Sequence, residues 1–324
     1  MNDVTIWAFD WSFYAKVMAF VGQGCKADNY RGWLHPGDVR HFLSNTLRGT
    51  NPAKHIYVHE ANGEIVALVL IDPPRFGGFS VMIHPLWRTP ERETELIAWA
   101  MERRRDMLLE SDHAKDALVT DSFDGDTARE SALKALGFVA GEVTLLITSR
   151  SLDVPLPEPA LPDGFTIQSA AALGMSEDDL ADALGKVHSS AFGSNWGERK
   201  YLTVMQSPAF DLQNEMVVVA PNGELAAFCV VWIDPVTQSG LFEPVGCAEA
   251  YQRRGLTRAL MYAGMRRMIA QGCTRAFVAH ETEADNPASG ALYKSVGFEL
   301  MWKIREQKKT ILSPPPLSPA LQAS

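Results

Sequence analysis

The chain has 324 residues, of which 46% are hydrophobic and 21% charged, and its formal net charge is −9. This composition excludes a largely disordered chain, and at about 150 residues per domain the length predicts about two domains. The acidic balance argues against broad binding of nucleic acid or anionic membranes, because both need a basic surface.

Membrane insertion, secretion and metal binding find no support in the residue patterns. The longest interior apolar stretch, around residues 226–233, is far shorter than the roughly 18 residues that a membrane span needs. The N-terminus lacks the basic and apolar regions of a signal peptide, and the four cysteines show neither CxxC pairing nor zinc spacing. We therefore expect a cytoplasmic protein without a metal site.

The first half of the chain predicts six elements in a regular order. A hairpin of two strands is followed by a third strand and then by a helix, a strand and a helix. Their predicted limits are residues 56–59, 65–71, 79–83, about 91–109, 117–120 and a last helix that ends near Leu136.

A proline-rich stretch at residues 149–164 follows, and it cannot continue a helix or a central strand. Beyond it, a helix at 178–192 leads into the same order of elements, with limits at 216–220, 225–233, 240–247, 255–271, 276–280 and 287–296. The repetition predicts two similar domains, at 1–148 and 165–308, joined by a linker at 149–164. A disordered proline-rich tail is expected at 309–324.

Residues 242–260 carry the strongest chemical signal. A predicted strand leads through Gln252, Arg253, Arg254, Gly255 and Leu256 into a helix that starts inside the loop. The start of a helix offers free backbone N–H groups and a positive dipole end, which together bind anions such as phosphate. The alternative is that the arginines form an ordinary solvated helix face.

The strand before this loop contains Pro244, which cannot donate a hydrogen bond to a neighbouring strand. We expect the sheet to open there. An opening would leave the backbone of Val245 and Cys247 free to bind an extended ligand that carries amide groups.

Residues 252–257 resemble the acyl-coenzyme A loop of the GNAT superfamily, Q/R-x-x-G-x-G/A, with Thr257 in the place of the last small residue. Residues 286–298 resemble the second signature of that superfamily, N-x-x-A-x-x-L-Y-x-x-x-G-F, with Ser289 in the place of alanine. The resemblance implies an α/β (α+β) fold of two tandem domains. Each domain would be a mixed, mostly antiparallel sheet with helices on both faces.

The resemblance also implies acetyl-CoA as co-substrate and assigns residues to it. The opened strand would hold the pantetheine, the loop amides would hold the pyrophosphate, and Asn286 would lie nearby. The implied cofactor-binding residues are Val245, Gly246, Cys247, Gln252, Arg253, Arg254, Gly255, Leu256, Thr257, Arg258 and Asn286. Tyr293 matches the usual general acid of the family, since a phenol can protonate a departing thiolate. The alternative for Tyr293 is a core aromatic residue.

The general base is less clearly marked. Strand alternation predicts that Glu243 shares a face with Val245 and Cys247, where a carboxylate could accept the proton of an ammonium group. His280, at the end of the next strand, is a rival base. A covalent role for Cys247 is disfavoured, because no histidine lies near it in the sequence.

The first half has no equivalent phosphate loop. When the two halves are aligned, Glu91 falls opposite Gly255 and Glu93 opposite Thr257. The glycine is lost and the charge has the wrong sign for a phosphate. We therefore expect a degenerate first domain that packs against the second, shapes the substrate cleft or mediates dimerisation.

These features together predict an N-acetyltransferase that transfers acetyl from acetyl-CoA to a primary amine of a small molecule or peptide, by direct attack in a ternary complex. Two alternatives remain open at this point. One is a non-catalytic acyl-CoA sensor, and the other is an interaction scaffold that uses both halves and the tail. We expect no nucleic-acid or membrane partner, and a monomer or homodimer.

Overall fold

The computed structural model describes residues 4–75, 77–111 and 117–311. Within these residues the strands are β1 Thr5–Ala8, β2 Ile56–Ala61, β3 Glu64–Ile71, β4 Phe79–Ile83, β5 Ala117–Phe123, β6 Val139–Ser151, β7 Thr166–Ser169, β8 Glu215–Val219, β9 Leu225–Asp234, β10 Ser239–Cys247, β11 Arg275–Glu281 and β12 Glu299–Thr310. The α-helices are α1 Tyr14–Ala27, α2 Pro36–His41, α3 Pro90–Leu109, α4 Thr127–Ala135, α5 Glu177–Phe192, α6 Gly197–Met205, α7 Leu256–Ala270 and α8 Pro287–Ser295.

These elements form two mixed, mostly antiparallel sheets with helices packed on them, which confirms the predicted fold class. One sheet has the order β1-β2-β3-β4, and the other has the order β5-β12-β6-β11-β10-β9-β8-β7. Every element predicted from the sequence is present to within a few residues. Strands β1, β6, β7 and β12 and helices α1, α2 and α6 were not predicted.

The larger sheet joins the two halves by an exchange of their last strands. β6 belongs to the first half by sequence, yet it lies between β12 and β11 of the second half. β12 in turn pairs with β5 of the first half. The division at residue 148 stays a prediction from sequence, whereas the hydrogen-bonded sheet is continuous across it.

Two predicted limits need correction. β6 includes residues 149–151 of the predicted linker, because Ser151 pairs with Arg275 at the start of β11. β12 includes residues 309 and 310 of the predicted tail, because Thr310 pairs with Ala117. The rest of that tail, from residue 312, lies outside the described residues.

The core of the second half lies on both faces of β9, which is buried along its whole length. One face packs against Leu260 and Met265 of α7, and the other packs against Leu184 and Val187 of α5. These two helices bracket the sheet beside β10. The apolar packing therefore fixes where the start of α7 lies relative to that strand.

Helix α2 of the first half crosses β9 and β10 of the second half. Arg40 donates from Nη1 to the carbonyl oxygen of Ile233 at 2.9 Å. Before the helix, Nε2 of His35 lies 2.8 Å from Oγ of Ser239, and both residues are buried. These contacts hold the two halves together beside β10.

None of the helices in the described ranges has the length and apolarity needed to span a lipid bilayer.

The strand exchange predicts a large difference between two matched proline substitutions. Thr148→Pro introduces a proline into β6, which pairs on both sides, and should lower the free energy of unfolding by about 3 kcal/mol or more. Thr166→Pro, at the first residue of the edge strand β7, should cost about 1 kcal/mol or less. Urea unfolding followed by circular dichroism measures both values, and equal losses would contradict the central position of β6.

Candidate acyl-CoA and acetyl-transfer site

The larger sheet opens between β10 and β11, as the position of Pro244 predicts. The two strands pair in parallel only from Ser239 to Leu241. A bulge between Phe242 and Val245 then changes the register of β10 against β9, and the Glu243–Pro244 peptide within it is cis. Beyond the bulge, β10 has a neighbour on the β9 side but no longer pairs with β11.

A cavity of about 420 Å³ adjoins the last residues of β10 and the starts of α7 and α8. Its lining comes from β10, the loop before α7 and the first turns of both helices. The described residues that line it are Ala191, Phe192, Val245, Gly246, Cys247, Tyr251, Gln252, Arg253, Gly255, Leu256, Thr257, Arg258, Asn286, Ala288, Ser289, Leu292 and Tyr293. Every predicted cofactor-binding residue except Arg254 is among them.

The start of α7 has the properties of an anion site. Gly255 precedes the helix with a φ of 78°, a left-handed conformation that glycine adopts without strain. Gly255 has no side chain that could cap the first turn of α7, and no described side chain accepts from that turn, so its backbone N–H groups remain available. Arg253 and Arg258 add positive charge, and the described lining contains no carboxylate.

Arg254 is not among the described residues that line this cavity. Its Nη2 donates to the carbonyl oxygen of Ala250 at 3.1 Å, and its guanidinium lies over the ring of Tyr251. These contacts stabilise the loop.

Gly246 allows β10 to pack closely at the cavity wall. A Cβ atom at this position would lie 2.6 Å from the ring of Phe228 and 2.9 Å from the Cβ of Ala191. The end of α5 can therefore approach the strand and complete the lining.

Cys247 lines the cavity as a neutral thiol. Burial raises the pKa of the thiol. The hydrogen bond with Thr257 and the charge of Arg254 offset this rise only in part. A protonated thiol is a poor nucleophile.

Helix α8 brings Tyr293 to the same cavity. Its start is capped by Asn286, whose Oδ1 accepts from the backbone N–H of Ser289 at 3.2 Å. Tyr293 is only 7% exposed, and burial raises the pKa of its phenol, with the Glu243 carboxylate raising it further. The phenol therefore stays protonated at neutral pH and is a proton donor.

Glu243 does not share the face of Val245 and Cys247, so that expectation is wrong. The bulge adds one residue to β10, which puts Phe242 in phase with Val245 and turns Glu243 to the opposite face. There its side chain is 37% exposed, in a cleft where Oε1 lies 3.9 Å from Nε2 of His41. Burial in this cleft raises the pKa of Glu243.

Two residues of this cleft, Asp38 and His41, were not identified from the sequence. Both belong to α2, about 200 residues before Glu243 in the chain. Asp38 lies within hydrogen-bonding reach of the Glu243 carboxylate. Locally, the sequence around Asp38 indicates only a helix start, and no local pattern shows that α2 crosses β10.

His280 lies beside Tyr293, with ring centroids 5.1 Å apart. Its Nδ1 donates to the carbonyl oxygen of Glu281 at 2.7 Å. This bond fixes the ring and leaves Nε2 as the possible acceptor, so the rival base retains a suitable tautomer.

In the first half, a carboxylate of the protein itself occupies the start of the equivalent helix. Glu93, in the first turn of α3, is fully buried and forms ion pairs with Arg88 and Arg129. Thr89 caps the helix through the backbone N–H of Arg92. The cavity between β4 and β5 measures only about 40 Å³, compared with about 420 Å³ in the second half.

A second cavity of about 560 Å³ lies on the other side of Tyr251. Three carboxylates, Asp179, Asp182 and Glu224, and one ammonium group, Lys186, line it, so its net charge has the wrong sign for a phosphate group. The smaller cavity at α7 is therefore the better candidate for a nucleotide cofactor.

Residues 181–298 match the model of the Acetyltransferase (GNAT) family. This span contains the opened strand, the start of α7 and Tyr293. It is a GNAT acetyltransferase domain.

The resemblance extends beyond the GNAT domain itself. A curated mycothiol acetyltransferase from Salinispora tropica is 23% identical over 279 residues, which cover 76% of this chain and 78% of that protein. Together with the family match, this relationship identifies the chain as an N-acetyltransferase. The GNAT family uses acetyl-CoA as the acetyl donor.

Solved structures show the same fold over nearly the whole chain. A GCN5-related N-acetyltransferase from Sphaerobacter thermophilus has a TM-score of 0.65 at 19% identity, covering 98% of this chain and 99% of its own. A tandem GNAT protein from the clavulanic acid biosynthesis pathway has a TM-score of 0.67 at 15% identity, covering 96% and 100%. The tandem architecture predicted from the sequence is thereby confirmed.

Within the described ranges, no group of three or more His, Cys, Asp and Glu side chains is arranged to hold a metal ion.

The position of the start of α7 predicts that a negative charge introduced there weakens cofactor binding. Gly255→Glu should weaken acetyl-CoA binding at least about tenfold, because it puts a carboxylate where the pyrophosphate would lie. Titration calorimetry measures the affinity, and we expect one binding site per chain.

The matched control for this variant is Gly272→Glu, at the other end of α7. Gly272 has a similar left-handed φ of 84° and equally open surroundings. It should lose stability to a similar extent but bind acetyl-CoA normally. Equal affinities for the two variants would exclude α7 as the phosphate site.

Proposed function

We propose that this N-acetyltransferase acetylates a primary amine by direct attack in a ternary complex, with Tyr293 as general acid and Glu243 as general base. The observation that carries the proposal is the joint position of a protonated phenol and an uncapped, arginine-flanked helix start on one cavity. The carboxylate of Glu243 lies in the adjoining cleft between the two halves.

The residues of the cavity fit acetyl-CoA in shape and charge. The free backbone of Val245, Gly246 and Cys247 suits the amides of the pantetheine, and the N–H groups of the first turn of α7 suit the pyrophosphate. Gln252, Arg253, Gly255, Leu256, Thr257, Arg258 and Asn286 complete the proposed binding set. Arg254 would act indirectly, by holding the loop through Ala250 and Tyr251.

In the transfer, the acceptor nitrogen loses two protons and the departing sulfur gains one. Glu243 accepts a proton from the ammonium group of the acceptor, directly or through a water molecule. The freed nitrogen attacks the thioester carbonyl carbon, so that a C–N bond forms and the C–S bond breaks. Tyr293 donates its proton to the departing sulfur, and the nitrogen loses its second proton to solvent as the amide forms. Glu243 and Tyr293 return to their starting protonation states by exchange with solvent.

Direct attack is favoured over a covalent acyl-enzyme by the state of Cys247. Its thiol is protonated, because burial raises its pKa. Among the described residues, its thiol interacts with Thr257, Arg254 and the carbonyl oxygen of Ala248, none of which is a base that could activate it.

The first half, residues 1–148, is proposed to bind no acyl-CoA, with residues 165–308 as the catalytic domain. The carboxylate of Glu93 lies at the start of α3, where it forms ion pairs with Arg88 and Arg129. A pyrophosphate would have to displace a buried ion-pair network, which is strongly unfavourable.

For the acceptor we propose the primary amine of a small molecule. The curated relative is named a mycothiol acetyltransferase, so the deacetylated form of mycothiol is the first acceptor to test. We further propose a cytoplasmic enzyme that acts as a monomer or homodimer, without a metal ion and without a nucleic-acid or membrane partner. The acidic net charge of −9 supports the last point.

The proposed reaction predicts acceptor-dependent release of free thiol from acetyl-CoA. A panel of deacetylated mycothiol, amino acids, polyamines, aminoglycosides and peptides should contain at least one amine that accelerates release. Tyr293→Phe should lower kcat by about a hundredfold, because it removes the proton donor, and should leave the affinity for acetyl-CoA unchanged.

The matched control is Tyr262→Phe, which removes a hydroxyl from α7 outside the cavity lining and should retain full turnover. An acyl-CoA sensor would instead bind acetyl-CoA, and none of the amines in the panel would accelerate the release of free thiol. Undiminished turnover in Tyr293→Phe would show that Tyr293 is not the general acid.

The proposed base predicts a rise of kcat/KM with increasing pH. Burial raises the pKa of Glu243, so its carboxyl is increasingly protonated, and inactive as a base, as the pH falls through that raised value. Glu243→Gln should lower kcat/KM by about a hundredfold and abolish this contribution to the profile.

The control carboxyl is Glu281→Gln, an exposed residue at the end of β11, which should keep the wild-type profile. If His280→Gln abolishes the pH dependence and Glu243→Gln keeps it, the base is His280.

A further inference from the structure

The bulge in β10 leaves the main chain of Glu243 without a neighbouring strand. The register against β9 pairs Phe242 and then Val245, so that Glu243 and Pro244 have no paired residue in β9. β11 pairs with β10 only as far as Leu241 and therefore offers them none. A partly buried carbonyl without a hydrogen-bond donor is costly, so the carbonyl of Glu243 needs a donor from outside the strand pairing.

Trp232 of β9 supplies this donor. Its Nε1 donates to the carbonyl oxygen of Glu243 at 2.5 Å. Trp232 pairs with Leu241 across the two strands, and Leu241 shares a face with Glu243 because the two are two residues apart along β10. The indole therefore lies on the same face as the Glu243 side chain and reaches along β10 into the bulge.

The indole of Trp232 is enclosed by its neighbours. Trp232 is only 4% exposed, packs in a cluster with Leu241 and Phe277, and has its ring centroid 5.8 Å from that of Phe210. Helix α2 lies directly against it, since a Cβ atom at Gly37 would come within 2.6 Å of the Trp232 Cβ. A ring packed in this way keeps one orientation, so its N–H has a fixed direction.

The same indole lies beneath the cleft that contains the Glu243 carboxylate. The ring of His41 meets the indole edge to face, with centroids 6.1 Å apart, and Nε2 of His41 lies 3.9 Å from Oε1 of Glu243. A peptide unit is planar, so a hydrogen bond to the Glu243 carbonyl restricts rotation of the peptide plane next to its Cα atom. The direction in which the carboxylate leaves the strand is restricted with it.

We propose that Trp232 is a positioning residue for the transfer reaction: its indole N–H binds the main-chain carbonyl of Glu243, holds the bulge of β10 in place and so directs the carboxylate into the cleft. At 4% exposure Trp232 does not itself reach an acceptor, so it acts through Glu243. This inference rests on the proposed role of Glu243 as base.

The test removes the donor in two ways. Trp232→Phe keeps an aromatic ring, and site-specific replacement of Trp232 by benzothienylalanine keeps the shape of the indole but has sulfur in place of the N–H group. Both should lower kcat/KM for the acceptor by about tenfold to a hundredfold through misplacement of the base. If the benzothienylalanine protein has full activity, the ring matters only for packing and the inference is overturned.

Acetyl-CoA affinity is the readout that distinguishes misplacement of the base from general damage to the site. Residues 245–247 pair with β9 beyond the bulge, so the strand that lines the cofactor cavity is held without Trp232. Calorimetry should therefore give both altered proteins an affinity near the wild-type value while turnover falls. A parallel loss of affinity and turnover in the benzothienylalanine protein would contradict a specific effect on Glu243.

Trp302→Phe is the matched control. Nε1 of Trp302 also donates to a main-chain carbonyl, that of Asn29 at 2.9 Å, and this bond also joins the two halves. Its loss should lower thermal stability and leave kcat/KM unchanged. If Trp232→Phe lowers only stability, as Trp302→Phe does, the role of Trp232 is structural and the proposal is overturned.

A measurement without acceptor separates this inference from the proposed function. A crystal structure of the benzothienylalanine protein should show the Glu243 carbonyl turned and its carboxylate moved away from His41. An unmoved carboxylate overturns the inference, whatever the role of Glu243 in catalysis.

The kinetic cycle supplies the second distinction. If Glu243 is the base and Trp232 acts through it, Trp232→Phe should cause no further loss in the Glu243→Gln background. If Glu243→Gln has full activity, the proposed function fails. If Glu243→Gln is impaired and the two losses are additive, the proposed function holds and the inference fails.

Discussion

The structure of the site depends on one interrupted strand pairing. β10 and β11 pair only as far as Leu241, and the bulge that follows adds a residue before Val245. The interruption leaves backbone groups of β10 without a strand partner beside the start of α7. It also turns Glu243 to the face opposite Val245, toward the first half. The proposed cofactor channel and the proposed base therefore arise from the same irregularity in one strand.

The two copies of the fold use a helix start in opposite ways. At the start of α7, where the N-cap is a glycine, no side chain in the described part of the protein accepts from the backbone N–H groups, and arginines line the neighbouring cavity. At the start of α3, Thr89 caps the helix, and the buried carboxylate of Glu93 forms ion pairs with Arg88 and Arg129. An external phosphate suits the first arrangement, whereas an internal carboxylate satisfies the second. The exchange of β6 and β12 joins strands of both copies in the eight-stranded sheet.

The cofactor side of the site is encoded in short stretches of sequence. Gly255 and Asn286 act through their own backbone and the next turn of helix, so their effects are visible in local patterns. The side of the cleft that contacts Glu243 is different. Strand alternation placed Glu243 on the wrong face, because alternation assumes a regular strand and a bulge adds a residue. Strands β6 and β12 were missed because their buried and exposed positions do not alternate regularly.

The sequence by itself determined the repeated order of elements, the glycine and arginines at the start of α7 and the carboxylates at the start of the corresponding helix of the first half. Each of these follows from residues close together in the chain, where glycine, proline and charge act on local backbone geometry. Only the tertiary structure decided that the halves exchange their last strands and that Asp38 meets Glu243. Those contacts join residues about 130 to 200 positions apart, and they depend on how apolar faces pack rather than on any local pattern.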